Sequence, residues 1–292
     1  MSTPLVFDRS LVRRRLSRAL KQGYADFLLA RTVEDLEERL SAVLRTFSLA
    51  LDVGTPTPAA AEALLRSGRA ETVIRLSPVP EPGSILGDEE QLPFSGERFD
   101  LVVSLLALHG VNDLPGALVQ IRRALKADGL FIGALLGGST LTELRQSLTQ
   151  AEAEIEGGAS PRVAPFADLR DIGGLLQRAG FALPVTDSDV VRVRYAHAFA
   201  LMQDLRRMGL TNALNDRRKA SLRRATLLRA AEIYAARFGE ADGRIPATFE
   251  IVWLSGWTPH ESQQKPLRPG SAKARLADAL GVKEGDPERN QE

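Results

Sequence analysis

Four short stretches carry residue types able to do chemistry. The first is an apolar run ending in an acid and a glycine, LALDVG at 49–54, which leads into TPTPAAAEALL. Asp52 and Gly54 stand where a strand hands over to a helix. In cofactor-binding proteins of that pattern, glycine lets the backbone approach the ligand and adopt dihedrals that a Cβ forbids. The second stretch is GDEE at 87–90, which offers Asp88 and Glu89 as hydrogen-bond acceptors. The third is His109, at the end of the apolar run FDLVVSLLALHG. A histidine titrates near neutrality and suits a general base, although a packed histidine at a strand end has the same signature. The fourth is GWTPHESQQKP, where His260, Glu261 and Gln263 cluster on a loop beyond the last apolar run. They are candidate contacts to a substrate or partner, or a hydrogen-bonded cap.

Composition limits what these groups can be. The 292 residues include no cysteine and three histidines, His109, His197 and His260, far apart in sequence. Disulfides, thiolate metal sites and a cysteine nucleophile are thereby excluded, and no metal site is expected. A formal net charge of +1 gives no global attraction to nucleic acid. No apolar stretch reaches the length of a membrane span. The opening residues are charged where a signal peptide has its apolar core, so a cytoplasmic protein is expected. Residues 8–21 read as a basic amphipathic helix carrying Arg13, Arg14, Arg15 and Arg18. A solvated face is the default for such a run; anionic lipid or RNA is the alternative.

The elements that must hold these groups alternate. A helix at 32–45, with Thr32 as its N-cap, precedes a strand over FSLALDVG, a helix closed by Gly68 and a strand over AETVIRLS. Then come the apolar run to His109, a helix over LPGALVQIRRALKADG and a strand over LFIGALL. Strands without polar alternation, separated by helices, predict a parallel sheet covered on both faces. Helices are expected at 140–156, 167–179, 197–209 and 216–239, with strands over SDVVRVRYA and ATFEIVWLSGW. Residues 1–45 read as an N-terminal helical segment. Residues 46–272 read as the α/β domain, with a helical insertion near 196–240, and 273–292 as a polar tail.

The block at 87–138, with GDEEQLPF before one strand and LKADG before the next, resembles class I S-adenosylmethionine (SAM) methyltransferases. Within that superfamily FDR, HGVNDLP, GGSTLTELRQSL, EGGASPRVAPFADLRDIGGLLQRAGF and GWTPHESQQKPLRPGSA are similar to the respiratory complex I assembly-factor family. The likeness spans about residues 6–272. It implies a Rossmann-like class I methyltransferase fold, a mostly parallel sheet with helices on both faces and helical additions. It also implies a protein client such as a complex I subunit, and hydroxylation of an arginine by the mitochondrial member. FDR lies close to the start of the chain, which implies a bacterial relative without a transit peptide.

The resemblance assigns cofactor contacts to Asp52, Gly54, Asp88 and Glu89, with the two acids of the second stretch facing the adenine. It also exposes three departures. Pro56 and Pro58 fall where the family pattern has its second and third glycines, adding a ring and deleting an N–H. Ser77, or a near neighbour, replaces the acid that accepts the ribose hydroxyls, with Glu81 as a distant substitute. Only PVPEPG separates VIRLS from SILGD, too few residues for a crossover helix. Gly110 also stands where the family commonly has tryptophan. Thr57 and Pro58 still make a good helix start. Two readings result: an assembly or chaperone-like protein with a degenerate SAM site, or an active SAM-dependent methyltransferase on a protein or small molecule. Hydroxylase chemistry with a metal is a weaker third reading, for which the sequence offers no ligand set.

Overall fold

The computed structural model describes residues 5–263. Two helices lead, α1 (Arg9–Lys21) and α2 (Phe27–Ser41), followed by β1 (Phe47–Val53), α3 (Ala59–Arg66), β2 (Ala70–Ser77) and β3 (Ser84–Leu86). Next come β4 (Phe99–Leu105), α4 (Leu114–Ala124), β5 (Leu125–Leu136), α5 (Thr142–Glu156) and α6 (Leu169–Ala179). The last described elements are β6 (Ala182–Tyr195), α7 (Ala198–Arg207), α8 (Arg224–Phe238) and β7 (Ile245–Trp257). The sheet order is β3-β2-β1-β4-β5-β7-β6. β1 to β5 pair in parallel, and β7 runs antiparallel between β5 and β6. This is the Rossmann-like methyltransferase arrangement that the resemblance implied.

Strand alternation explains why the central strands read as continuous apolar runs. On β4, Leu101, Val103 and Leu105 face one core while Val102 faces the other. On β5, Leu130, Ile132, Ala134 and Leu136 join the first core, and Phe131 and Leu135 the second. The first core is roofed by α2, α3, α5, α7 and α8, the second by α4 and α6. With both faces covered, the middle of these strands is almost wholly apolar, and the buried Ser104 of β4 is satisfied by donating to the Val53 carbonyl at 2.7 Å.

Several local expectations shift. The second helix starts at Phe27, and Thr32 lies buried in its interior, its hydroxyl donating to the Leu28 carbonyl at 2.7 Å. The buried stripe Leu29, Val33, Leu36 and Leu40 extends the helical pattern back past Thr32. The helix over 216–239 begins only at Arg224, because Arg217 bonds to the Leu214 carbonyl and Arg218 pairs with Glu156, which holds 216–223 as a loop. α4 stops at Ala124, and LKADG enters β5. The third strand exists without a crossover helix. Three prolines and Gly83, at φ +73°, turn the six-residue link so that a three-residue β3 pairs in parallel with β2.

The chain divides into a compact unit Met1–Pro259 and a second unit beginning at His260. Among the described residues no helix is long and apolar enough to cross a membrane.

Candidate functional site

In open α/β sheets ligands bind beyond the carboxyl ends of the parallel strands, where the strand order reverses. Here that place lies beyond β1 and β4, and Asp52, Gly54, Asp88, Glu89 and His109 all belong to the elements around it. Gly54 turns the chain after β1 with φ +72°, and its N–H donates to the Leu76 carbonyl at 2.8 Å. Only glycine holds that conformation without strain.

Asp52 is 1% exposed and paired with Arg75, whose Nε lies 3.4 Å from Oδ2. The same guanidinium donates to the Thr55 carbonyl at 3.2 Å and pairs with Glu81 Oε2 at 3.2 Å. Burial pushes the Asp52 carboxyl up to about 6, against the lowering influence of Thr55 and Arg75. Glu81, the distant substitute for a ribose acid, is therefore committed to Arg75. Ser77 is buried, and its hydroxyl accepts from the Val79 N–H at 3.3 Å.

The acids of GDEE are committed as well. Arg9, on the first turn of α1, pairs with Glu89 and with Asp88 at 2.8 Å, and donates to the Gly110 carbonyl at 3.0 Å. Arg13, one turn on, pairs with the other oxygen of Asp88. Glu89 is 3% exposed, and burial raises its carboxyl despite the opposing charge of Arg9. Asp88 lies below the usual range: burial pushes it up, but the Glu90 N–H, Arg9 and Arg13 together outweigh that. Helix α1 thus covers the strand ends. A Cβ built on Gly110 would reach Arg9 Nη1 and Val12 Cγ1 at 4.0 Å, so α1 borders the space a larger residue there would fill.

Between these groups the strand-end cavity, lined by Arg9, Gly54, Pro56, Glu89, Ala107 and His109 among others, measures about 60 Å³. That is room for about two waters, against roughly 300–1,000 Å³ for a pocket holding a ligand of cofactor size. A Cβ on Gly54 would lie 2.6 Å from Glu89 Oε1, so the space that glycine keeps open holds a carboxylate of the chain itself. Pro56 is buried at the cavity wall and supplies no N–H, whereas Pro58 is exposed at the start of α3. The N-cap of α3 is Pro58, one residue past the expected Thr57, whose hydroxyl accepts from the Ala59 N–H at 3.4 Å. In this arrangement the space left between these side chains is smaller than SAM.

His109 sits in a short 3-10 turn after β4, edge-on to Phe166 with ring centroids 5.8 Å apart. Its Nδ1 is buried without a partner, and burial together with Arg9 lowers its pKa to about 4. It is neutral at pH 7, and among the described residues it has no hydrogen-bond or ion-pair partner and no carboxylate that orients it as a general base. His260, Glu261 and Gln263 lie in the second unit, described by itself. There His260 Nδ1 lies 2.7 Å from Ser262 Oγ, and the Gln263 N–H donates to the His260 carbonyl at 3.2 Å. The remainder of that motif, and the tail at 273–292, lie outside the described residues. Among the described residues no three His, Asp or Glu gather as a metal site.

Sequence reasoning missed Arg9 and Arg75, and left Arg13 on a solvated face. The signal was an unbalanced acidic triplet, 88–90, in a chain with an arginine-rich opening helix.

Residues 51–133 match the family described as Methyltransferase domain. The chain is 44% identical to arginine-hydroxylase NDUFAF5, mitochondrial, of Danio rerio, covering 94% of this chain and 89% of that protein. It is 34% identical to the malonyl-[acyl-carrier protein] O-methyltransferase of Halorhodospira halophila, covering 86% and 88%. Among solved structures, the YcgJ protein of Bacillus subtilis superposes with a TM-score of 0.53 at 13% identity, over 79% of this chain and 99% of that one, which supports the fold alone. The cytoplasmic location expected from the sequence is overturned by the NDUFAF5 relatives, which are named as mitochondrial proteins. Matched at 44% identity over nearly its whole length, the chain belongs to the arginine-hydroxylase NDUFAF5 family, the complex I assembly-factor family that its motifs resemble, on a methyltransferase fold.

Proposed function

We propose that this protein acts on or binds a protein client, a respiratory complex I subunit, and that its SAM site is degenerate. The observation that carries the second half is the contact of Glu89 with Gly54 under Arg9. It fills the place where the first loop would meet the cofactor, and it joins Pro56, Ser77 and the missing crossover helix as an independent loss around one site. The first half rests on family membership. On this reading Asp52, Gly54, Asp88 and Glu89 are kept as a structural unit that holds α1 against the strand ends. His109 lines what remains of the cavity, and His260, Glu261 and Gln263 contact the client.

Calorimetry with SAM and S-adenosylhomocysteine on the purified chain tests the cofactor half. No heat of binding at millimolar ligand is expected, and micromolar affinity overturns it. Tagging in the native host tests the client half. Co-purification of a quinone-reductase subunit is expected, and recovery of no respiratory subunit, with complex I intact after gene deletion, overturns it.

The second reading is an active SAM-dependent methyltransferase. It is favoured by the left-handed turn at Gly54, where the backbone keeps the close approach that a cofactor loop uses. It requires α1 to swing away and Glu89 to vacate the turn.

A further inference from the structure

A second cavity, of about 340 Å³, opens on the other side of His109. Its walls come from α5 (Leu144, Leu148), α7 (Met202, Leu205), the segment 162–166 and the segment 209–213. The volume falls within the range of small-molecule pockets and is more than twice that of a 150 Å³ apolar cavity that takes up benzene. Interiors pack to crystal density, so a void this size is not ordinary looseness.

Two buried polar atoms on residues lining it lack any partner, His109 Nδ1 and Thr211 Oγ1. Buried polar groups are nearly always hydrogen-bonded, and two exceptions on one cavity call for an explanation. Charge narrows the ligand further. Among the described residues Arg162 is the one charged residue in the lining, and its guanidinium is already paired with Glu152. Among the described residues no carboxylate lines the cavity to neutralise a cation, and no cationic group is left over for an anion. His109 is neutral, and with the tautomer open it either donates or accepts.

We propose that this cavity is a binding site for an uncharged, mostly apolar small molecule about the size of two fused aromatic rings, carrying a hydroxyl or carbonyl that meets His109 or Thr211 once that side chain turns its unpartnered atom, closed off in the structure, towards the cavity. A hydroxyl satisfies either histidine tautomer. A free arginine side chain fits poorly, so the site is distinct from one that would receive a guanidinium. The proposal depends neither on SAM nor on a protein client, since its ligand is a different small molecule, although Val12, His109, Gly110, Leu136, Gly209 and Leu210 also line the strand-end cavity.

The test uses the full chain and a naphthalene series followed by ring fluorescence and calorimetry. 2-Naphthol is expected to bind one to one with micromolar affinity, and naphthalene several-fold more weakly. 2-Naphthoate and (2-naphthylmethyl)guanidinium are expected to show no saturable binding. Ala164→Phe, on the segment lining the cavity, fills it without touching a helix and should weaken 2-naphthol more than tenfold. His109→Phe keeps the ring shape, removes the polar atom and should cost 2-naphthol about five- to tenfold while leaving naphthalene unchanged. Circular dichroism checks that each variant is folded. No saturable 2-naphthol binding overturns the proposal, as does equal binding of the charged analogues or undiminished binding in folded Ala164→Phe. Failure here leaves the SAM and client measurements untouched.

Discussion

The carboxylate of Glu89 rests against the α-carbon of Gly54, so close that a methyl group at Gly54 would come within 2.6 Å of its Oε1. A glycine in the left-handed region is thus used to admit a side chain of the same protein. Gly54→Ala is expected to destabilise the fold by about 2 kcal/mol, from left-handed strain and overpacking together. In a Glu89→Ala background the same substitution should cost less, because the overpacking is gone while the strain remains. Urea denaturation of the four proteins measures the coupling, and strict additivity would show that the two residues do not press on one another.

Arg9 is the other half of that arrangement. Removing it leaves Glu89 as a buried carboxylate without its cation, and Arg9→Ala should cost roughly 3 kcal/mol. Because Pro56, Arg75 and Ser77 remain, the variant should still show no SAM binding at millimolar ligand. Micromolar binding by Arg9→Ala would mean that α1 alone closes the site.

Two buried groups oppose each other in mild acid. Asp52, with its pKa raised to about 6, binds more protons folded than unfolded, so its contribution is present below its ordinary value and is lost as pH rises towards 6. His109, lowered to about 4, binds fewer protons folded than unfolded, so its contribution is lost as pH falls from about 6.5 towards 4. Each is worth about 3 kcal/mol at full extent, and across pH 4–6 they largely cancel. Asp52→Asn should therefore make stability rise with pH through this window, and His109→Phe should make it fall. Thermal melts of both variants from pH 4 to 7 measure the slopes, and parallel slopes in the two would sink the assignment.

The sheet was legible because it obeys local rules. Apolar runs such as 47–53 and 99–105 had one reading once helices separated them, and Gly68 and Gly180 closed their helices where expected. The site was half legible. Asp52, Gly54, Asp88 and Glu89 stand beside the strand ends because motif spacing fixes their place in the chain. Their partners did not follow, since Arg9 lies 79 residues from Asp88 and Arg75 lies 23 from Asp52. Nothing local separates an arginine on a solvated helix face from one that reaches a buried acid. Thr32 failed for a related reason: its hydroxyl satisfies the Leu28 carbonyl inside a helix as readily as it would cap one.

Glu152 presents a buried acid that depends on a single cation. Its side chain is 1% exposed and accepts from Arg162 Nε at 2.9 Å, from the Ser160 N–H at 2.8 Å and from the Ser160 hydroxyl at 3.0 Å. This knot fixes the chain leaving α5 just before residues 162–166 line the apolar cavity. Arg162→Leu strands the carboxylate and should cost about 3–5 kcal/mol. Replacing both partners, Glu152→Gln with Arg162→Leu, should recover a large part of that loss, because the remaining amide oxygen still accepts from Ser160 and no charge is buried. If the double variant is as unstable as Arg162→Leu alone, the loss comes from the packing of the arginine stem rather than from the uncompensated charge. Chemical denaturation at pH 7 of the wild type and the three variants separates the two.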